Sequence, residues 1–298
     1  MTGRHEFHIP EPTIERTRQA AISAQSFCER NDDSLGTAMI AEAWFDGSPE
    51  AVVAALRTYQ NEDGGVGRGL EVDIAAPASN AFAARLAMQV LLGLKTLPQT
   101  DVLQRLGSWL EANQADDGDW HFSDETRAGE LAPWFAAWEF PSLNPACCIA
   151  GLASRLGIAT PAMLARVATL FAAKASAEDA QHGDFYTLLP YAEYVDVMRS
   201  PERDLWIDRV ASAIVANDAN GGYSDPQHFF EHAMGSGPVL LERLPADRVM
   251  ANLELMLDQQ ADDGGWPSPY SDAWRPWITA SSCVTLAKIV GTSPLAPE

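Results

Sequence analysis

The chain is short of basic residues, of cysteine and of long apolar runs, and each shortage excludes something. Its 298 residues carry 20 Lys and Arg against 41 Asp and Glu, a formal charge of -21. So acidic a surface repels phosphate backbones and anionic lipid, so nucleic acid is not an expected partner and the excess reads as a solvated exterior. No run approaches the ~18 apolar residues of a membrane span. Residues Met1 to Pro12 hold Arg4, His5, Glu6 and His8 without an apolar core, which fits neither a secretory signal nor a transit peptide; a flexible segment is expected over 1–12. The four cysteines, Cys28, Cys147, Cys148 and Cys283, form no C-x-x-C pair and fit buried apolar positions in a reducing, cytoplasmic compartment. They read as small buried side chains rather than metal ligands. Phosphate-cradling and nucleophile-elbow patterns such as G-x-x-x-x-G-K-[ST] and G-x-S-x-G are missing too, and no cofactor is expected.

What is present is apolar, rich in Ala and Leu, and repetitive. At 47% hydrophobic residues with few β-branched stretches, the chain predicts helices around a sizeable core. No Ser-, Gly- or Pro-rich linker divides it, so one domain is expected over 1–298. One plan then recurs: a polar residue, an acidic stretch, glycine, and an aromatic or apolar residue. It stands at Gln60 to Val66, Gln114 to Trp120, Asn217 to Tyr223 and Gln260 to Trp266, with a weaker copy at Gln181 to Phe185.

Each strong copy follows a segment of helical periodicity, such as Leu103, Leu106 and Leu110 before the second. The helices open alike, with Ser48-Pro49-Glu50, Thr160-Pro161 and Ser200-Pro201-Glu202 placing a hydroxyl at the N-cap and proline at the first turn. Starts fall near 49, 101, 161, 201 and 246, a spacing that suits one helical hairpin per repeat. More uniformly apolar segments lie between them, near 34 to 45, 79 to 95, 144 to 157, 185 to 198, 227 to 241 and 275 to 290, and are expected to be the more buried helices. A first helix, roughly 13 to 28, lacks a partner before it and the last lacks one after it. Pairing these two gives an all-α expectation of six inner and six outer helices, an (α/α)6 toroid, with an open solenoid as the alternative.

The glycine after each helix offers the left-handed C-cap, and Gln60, Gln114 and Gln260 are placed to satisfy backbone groups that Trp120, Tyr223 and Trp266 cover. These corners resemble the QW motif, Q-x(2-5)-G-x-W, of squalene-hopene cyclases and other class II terpene cyclases, and the related turns of protein prenyltransferase β subunits. Gln114 to Trp120 and Gln260 to Trp266 match it; the Gln60 copy lacks the aromatic and the Asn217 copy the glutamine. The resemblance implies a toroid and an acid-initiated cyclisation of a linear isoprenoid. In the family, the middle aspartate of D-x-D-D delivers the proton. Here Glu71-Val72-Asp73-Ile74 stands in that place, with Asp73 matching the acid, Glu71 replacing the first aspartate and Ile74 the last.

Such a step needs a carboxylic acid kept protonated in a dry site, and aromatic faces to hold positive charge. Trp134, Phe135, Trp138, Tyr186, Tyr191, Phe229, Trp274 and Trp277 are the candidate lining for a small hydrophobic substrate. Other assignments stay open. Glu71 and Asp73 fit equally as carboxylates that cap the helix near Ser79 or meet Arg68 or Arg85, and the aromatics as core. A non-catalytic ring binding an isoprenoid, peptide or protein is the second reading. A glycan-active ring using Glu193 or Asp196 with Asp73 is the third. His228 and His232, beside Glu231, read as helix-end histidines rather than metal ligands.

Overall fold

The structure, a computed structural model, describes residues 9–291, and these are helical throughout with turns between. In chain order the helices are α1 (Glu11–Arg30), α2 (Ser34–Trp44), α3 (Pro49–Arg57), α4 (Ala81–Gly93), α5 (Asp101–Asn113), α6 (Asp124–Ala128), α7 (Pro133–Ala136) and α8 (Leu143–Arg155). There follow α9 (Pro161–Lys174), α10 (Asp179–His182), α11 (Phe185–Tyr194), α12 (Arg203–Ala219), α13 (Pro226–Ala233), α14 (Pro238–Leu241), α15 (Ala246–Asp258) and α16 (Arg275–Gly291). No helix among the described residues is long and apolar enough to cross a membrane. Of the flexible segment expected over 1–12, residues 1–8 lie outside the described chain. Ile9 is fully buried, and α1 begins at Glu11 behind Pro10 and runs to Arg30.

Two series of helices alternate, as the periodicity predicts. The amphipathic series α1, α3, α5, α9, α12 and α15 follows the hydroxyl and proline openings: Thr100 Oγ1 accepts from Val102 N (3.2 Å) and Thr160 Oγ1 from Met163 N (3.3 Å). The buried series is α2, α4, α8, α11, α13 and α16. In α4 nearly every position from Ala81 to Leu91 is buried, as its uniformly apolar, alanine-rich sequence predicts. The apolar stretch expected over 227 to 241 splits into α13 and α14 around Gly235 and Gly237.

The chain forms two compact units. The first comprises the described residues up to Val52, Gly93–Thr96, and the described residues from Ile214 onward; the second comprises Val53–Leu92 and Leu97–Ala213. In the first unit α1, α2 and α16 pack on one another, α1 also meets α15, and α13 meets α15 and α16. Trp44 Nε1 donates to Cys283 O (2.9 Å) between α2 and α16. In the second unit α8 packs on α9 and α11. All four cysteines are free and buried, and burial pushes their thiols up, to about 12 at Cys28.

Three corners share one construction. In the second unit Gln60 Nε2 donates to Gly64 O and Val102 O, both 2.9 Å, and Gln114 Nε2 to Gly118 O (3.0 Å) and Met163 O (3.2 Å). In the first unit Gln260 Nε2 donates to Gly264 O and Ala20 O, both 2.8 Å. Gly64, Gly118 and Gly264 have φ of 91°, 97° and 86°, and a Cβ on them would lie within 2.6 Å of Arg105 O, Arg166 O and Ser23 O. Each corner therefore meets an amphipathic helix, α5, α9 or α1, at two carbonyls three residues apart, one through the glutamine hydrogen bond and one through close approach of the glycine. Asp63, Asp117 and Asp263 each accept the N–H two residues on, which makes the acidic stretch a turn device. The indoles of Trp120 and Trp266 close the corner from beneath, donating to Leu110 O (2.8 Å) and Met256 O (2.7 Å).

The other copies depart from this plan. At the Asn217 copy the carboxylate of Asp218 reaches α15 instead, accepting from Asn252 Nδ2 (2.9 Å) and Arg248 Nη1 (3.1 Å). The weak copy at Gln181 is no corner of this kind: Gly183 has φ -63°, and Asp184 caps α11.

Candidate functional site

The sequence candidates Glu71 and Asp73 lie in the second unit, in the long connection from the Gln60 corner to α4. That connection is tied to itself: Arg68 N donates to Pro77 O (3.2 Å), Arg68 Nε to Asn61 Oδ1 (2.8 Å), and Asn80 N to Val66 O (2.9 Å). Residues 71–74 form a turn closed by Ile74 N donating to Glu71 O (3.1 Å). Inside it, Glu71 Oε1 accepts the N–H of Asp73 (3.2 Å). Glu71 is 7% exposed and Asp73 half-buried. The cap of α4 is Asn80, whose Oδ1 accepts from Ala83 N (2.9 Å), so the capping role left open for the two carboxylates is filled by another residue.

A second connection, from the Trp120 corner to α8, runs against this turn. Ala132 N donates to Asp73 O (2.9 Å), Ala75 N to Glu130 O (3.0 Å), and Ile74 pairs with Leu131. Ile74 and Leu131 then pack on a cluster of aromatic rings, Phe82, Phe122, Phe135, Trp138 and Phe140. Phe82 has Phe135 at 4.6 Å, Trp138 at 5.0 Å and Phe122 at 5.7 Å between ring centroids. Tilted and edge-on rings at these distances pack favourably and leave negative faces at the margin of the cluster. One margin already holds a cation: the Arg127 guanidinium stands 5.9 Å from the rings of Phe122 and of Phe140, and His121 stacks on Phe140 at 4.9 Å.

Beneath the cluster lies a carboxylate that sequence reasoning passed over. Asp119 is fully buried; its Oδ1 accepts from Trp120 N and its Oδ2 from Ser142 N, both 2.8 Å. Ser142 Oγ in turn accepts from Trp138 Nε1 (3.2 Å). Burial outweighs these hydrogen bonds and pushes the Asp119 carboxyl up to about 6. The signal was available, since glycine occupies the matching position, Gly65 and Gly265, in two other copies.

The predicted aromatics separate. Phe135 and Trp138 belong to the cluster beside Asp73, with Trp134 next to them on α7 and 51% exposed. Tyr191 is buried, stacked on Trp206 at 5.8 Å, with its hydroxyl accepting from Ser176 N (2.9 Å), a core position. Tyr186 is 52% exposed at the start of α11. Phe229, Trp274 and Trp277 belong to the first unit, where Phe229 is fully buried between Tyr223 and Phe230, Trp274 is buried and Trp277 half-buried.

The carboxylates considered for glycan chemistry are held elsewhere. Glu193 takes a two-pronged contact from Arg85 (2.7 and 3.0 Å) and a third bond from Gln89 (3.0 Å), and Asp196 pairs with Arg155 (2.7 Å). His228 and His232 each contact a tyrosine hydroxyl, and no three His, Cys, Asp or Glu side chains among the described residues converge as metal ligands. Compared with known proteins, the chain matches no family, no curated protein and no solved structure.

Proposed function

We propose that the chain is a class II terpene cyclase-like protein, whose second unit carries out acid-initiated cyclisation of a linear isoprenoid or prenylated substrate. The carrying observation is the turn of Asp73, pinned by backbone hydrogen bonds to residues 130–132 at the edge of five aromatic rings. In this reading the Asp73 carboxylic acid gives its proton to one carbon of a substrate double bond. A C–H bond forms, the π pair is spent, and the cation left on the other carbon is stabilised by ring faces that offer charge without a nucleophile. The next double bond closes the ring, and loss of a proton ends the sequence, so the product is an isomer of the substrate. Glu71, bonded to the Asp73 amide, is the positioning residue. The wider expectations go with this reading: an (α/α)6 toroid and a cytoplasmic location. The toroid is supported by six amphipathic and six buried helices in alternation, and by the last corner docking on α1 as earlier corners dock on the next amphipathic helix of the series.

The test is incubation with farnesyl and geranylgeranyl diphosphates, squalene and prenylated aromatics, with a mass-spectrometric search for isomeric products. Turnover that is abolished by Asp73→Asn with an unchanged melting temperature supports the reading; turnover retained in that variant removes it. A second reading, a non-catalytic binder of an isoprenoid, peptide or protein, is favoured by Trp134, a large ring left half in solvent beside the cluster. Binding of the same compounds without products, weakened by Trp134→Ala and indifferent to Asp73→Asn, would select it.

A further inference from the structure

The first unit holds a polar cluster that the proposed cyclisation does not use. Asp225 is the N-cap of α13, and its Oδ1 accepts the backbone N–H of His228 (2.9 Å), which sets its carboxylate beside the imidazole one turn on. Asp225 Oδ2 lies 2.8 Å from His228 Nδ1, and Ser224 Oγ lies 2.8 Å from the same nitrogen and 3.2 Å from the carboxylate. On the far side of the ring, Nε2 is 2.5 Å from the hydroxyl of Tyr270. The imidazole and the carboxylate are nearly enclosed, with side chains 10% and 11% exposed, whereas Tyr270 is 45% exposed.

These contacts fix the proton order. Burial pushes the Asp225 carboxyl up, but the hydrogen bonds it accepts from the His228 ring, the His228 amide and Ser224 work against it, and the carboxyl is held below the usual carboxylate range. Ionised, it only accepts, so Nδ1 is the protonated nitrogen and Nε2 is left to accept from Tyr270. The tyrosine oxygen thus loses proton density to an imidazole oriented by a buried carboxylate, the relation by which a weak hydroxyl nucleophile is activated.

We propose that Tyr270, His228 and Asp225 form a nucleophilic triad for acyl transfer, independent of the cyclisation reading, and that its substrates are acyl donors with good leaving groups, the class of thioesters and aryl esters. The Tyr270 oxygen attacks the acyl carbon, its proton passes to His228 Nε2, the bond to the leaving group breaks, and the imidazolium returns that proton to the departing thiolate or phenolate. Water then attacks the O-acyl tyrosine by the same route in reverse, releasing the acid and restoring the phenol. The leaving-group restriction follows from the nucleophile. A phenol has an ordinary pKa of about 10 and a thiol about 8.5. An intermediate expelling a thiolate, or an aryloxide less basic than tyrosinate such as nitrophenolate, therefore moves forward, whereas one bearing an alkoxide expels the tyrosine again. Asp225 and His228 orient and carry the proton; Tyr270 alone touches the substrate.

The probe is p-nitrophenyl acetate added to the whole protein, with nitrophenolate release followed in time and the acetylated residue located by peptide mass. The expected result is a stoichiometric burst, with Tyr270 acetylated at least about tenfold faster than Tyr186, an equally exposed tyrosine that serves as the internal reference. Tyr270→Phe removes the burst, and His228→Gln slows it about 100-fold. Labelling of Tyr270 no faster than of Tyr186 overturns the proposal, as does a His228→Gln protein of normal melting temperature that reacts at the wild-type rate. Should that variant fail to fold, the comparison of the two tyrosines in the unaltered protein decides.

Discussion

Gln260 donates from one amide nitrogen to the carbonyl oxygens of Ala20 and Gly264, each at 2.8 Å, and so fastens the corner after α15 to the first described helix. Gln60 and Gln114 make the same pair of bonds, one within the corner and one onto α5 or α9. Replacing any of the three by alanine removes two buried or partly buried hydrogen bonds and is expected to lower unfolding free energy by about 2–3 kcal/mol in urea titrations. For Gln260→Ala, amide exchange should accelerate in α1 before it does elsewhere. Uniform acceleration would show that the contact is not what anchors that helix.

The corner glycines should be less replaceable than glycines with the same backbone but open surroundings. Gly118→Ala places a methyl 2.6 Å from Arg166 O at φ 97°, whereas Gly157, at φ 71°, has nothing within 4 Å. Thermal melts should show about 1 kcal/mol lost for Gly157→Ala, the left-handed penalty alone. Gly118→Ala should lose more than about 3 kcal/mol, since backbone must also move.

Asp119 should make stability fall as pH rises through mild acidity. Between the ordinary value of 3.8 and about 6, the folded chain keeps a proton on this carboxyl that the unfolded chain has released, so unfolding becomes easier across that window. A shift of about two units corresponds to about 3 kcal/mol. Urea unfolding of the wild type minus that of Asp119→Asn, taken from pH 4 to pH 7, should decline by that order. A flat difference would mean the carboxyl titrates normally.

The buried pair of Arg85 and Glu193 gives an asymmetric expectation. Glu193→Ala takes the carboxylate away from a guanidinium in the core and should cost about 3–5 kcal/mol, whereas Arg85→Met with Glu193→Leu should come within about 1–2 kcal/mol of wild type. Chemical denaturation of the two proteins checks both halves.

If Asp73 is the acid, Glu71 acts through its hold on the Asp73 amide. Glu71→Gln keeps an oxygen acceptor and should leave kcat within a few-fold, while Glu71→Ala frees the turn and should lower kcat about 100-fold with little change in KM. Equal losses in the two variants would point instead to the Glu71 charge.

Much of the helix plan was legible because periodicity, caps and corner glycines agreed with one another. Helices start at Pro49, Asp101, Pro161 and Ala246, where a hydroxyl, proline or acidic opening stands in the sequence. The short helices α6, α7 and α10 escaped notice, since four or five residues carry no period. The division into two units was illegible for a different reason: its boundaries at Val52, Leu92 and Ala213 fall inside α3, α4 and α12, so no linker marks them. Of the candidate site, the Glu71 and Asp73 turn was visible by resemblance alone. Its partner segment, residues 130–132, was not, because one isolated bridge between two loops leaves no pattern in either. Asp119 and the link from His228 to Tyr270 depend on which side chains a fold buries together, and spacing along the chain does not carry that.

The grip of Gln260 on α1 also separates two things that are usually one, the order of helices along the chain and the order in which they dock. At the Gln60 and Gln114 corners the docked helix is the next amphipathic helix along the chain, α5 or α9; at the last, α1 fills that place although it stands at the other end of the sequence. α1 is thus held in the manner of a bound ligand. A chain cut between α1 and α2 would keep a vacant groove of defined chemistry, one amide donor from Gln260 and an apolar floor, into which the same helix supplied as a separate peptide would fit.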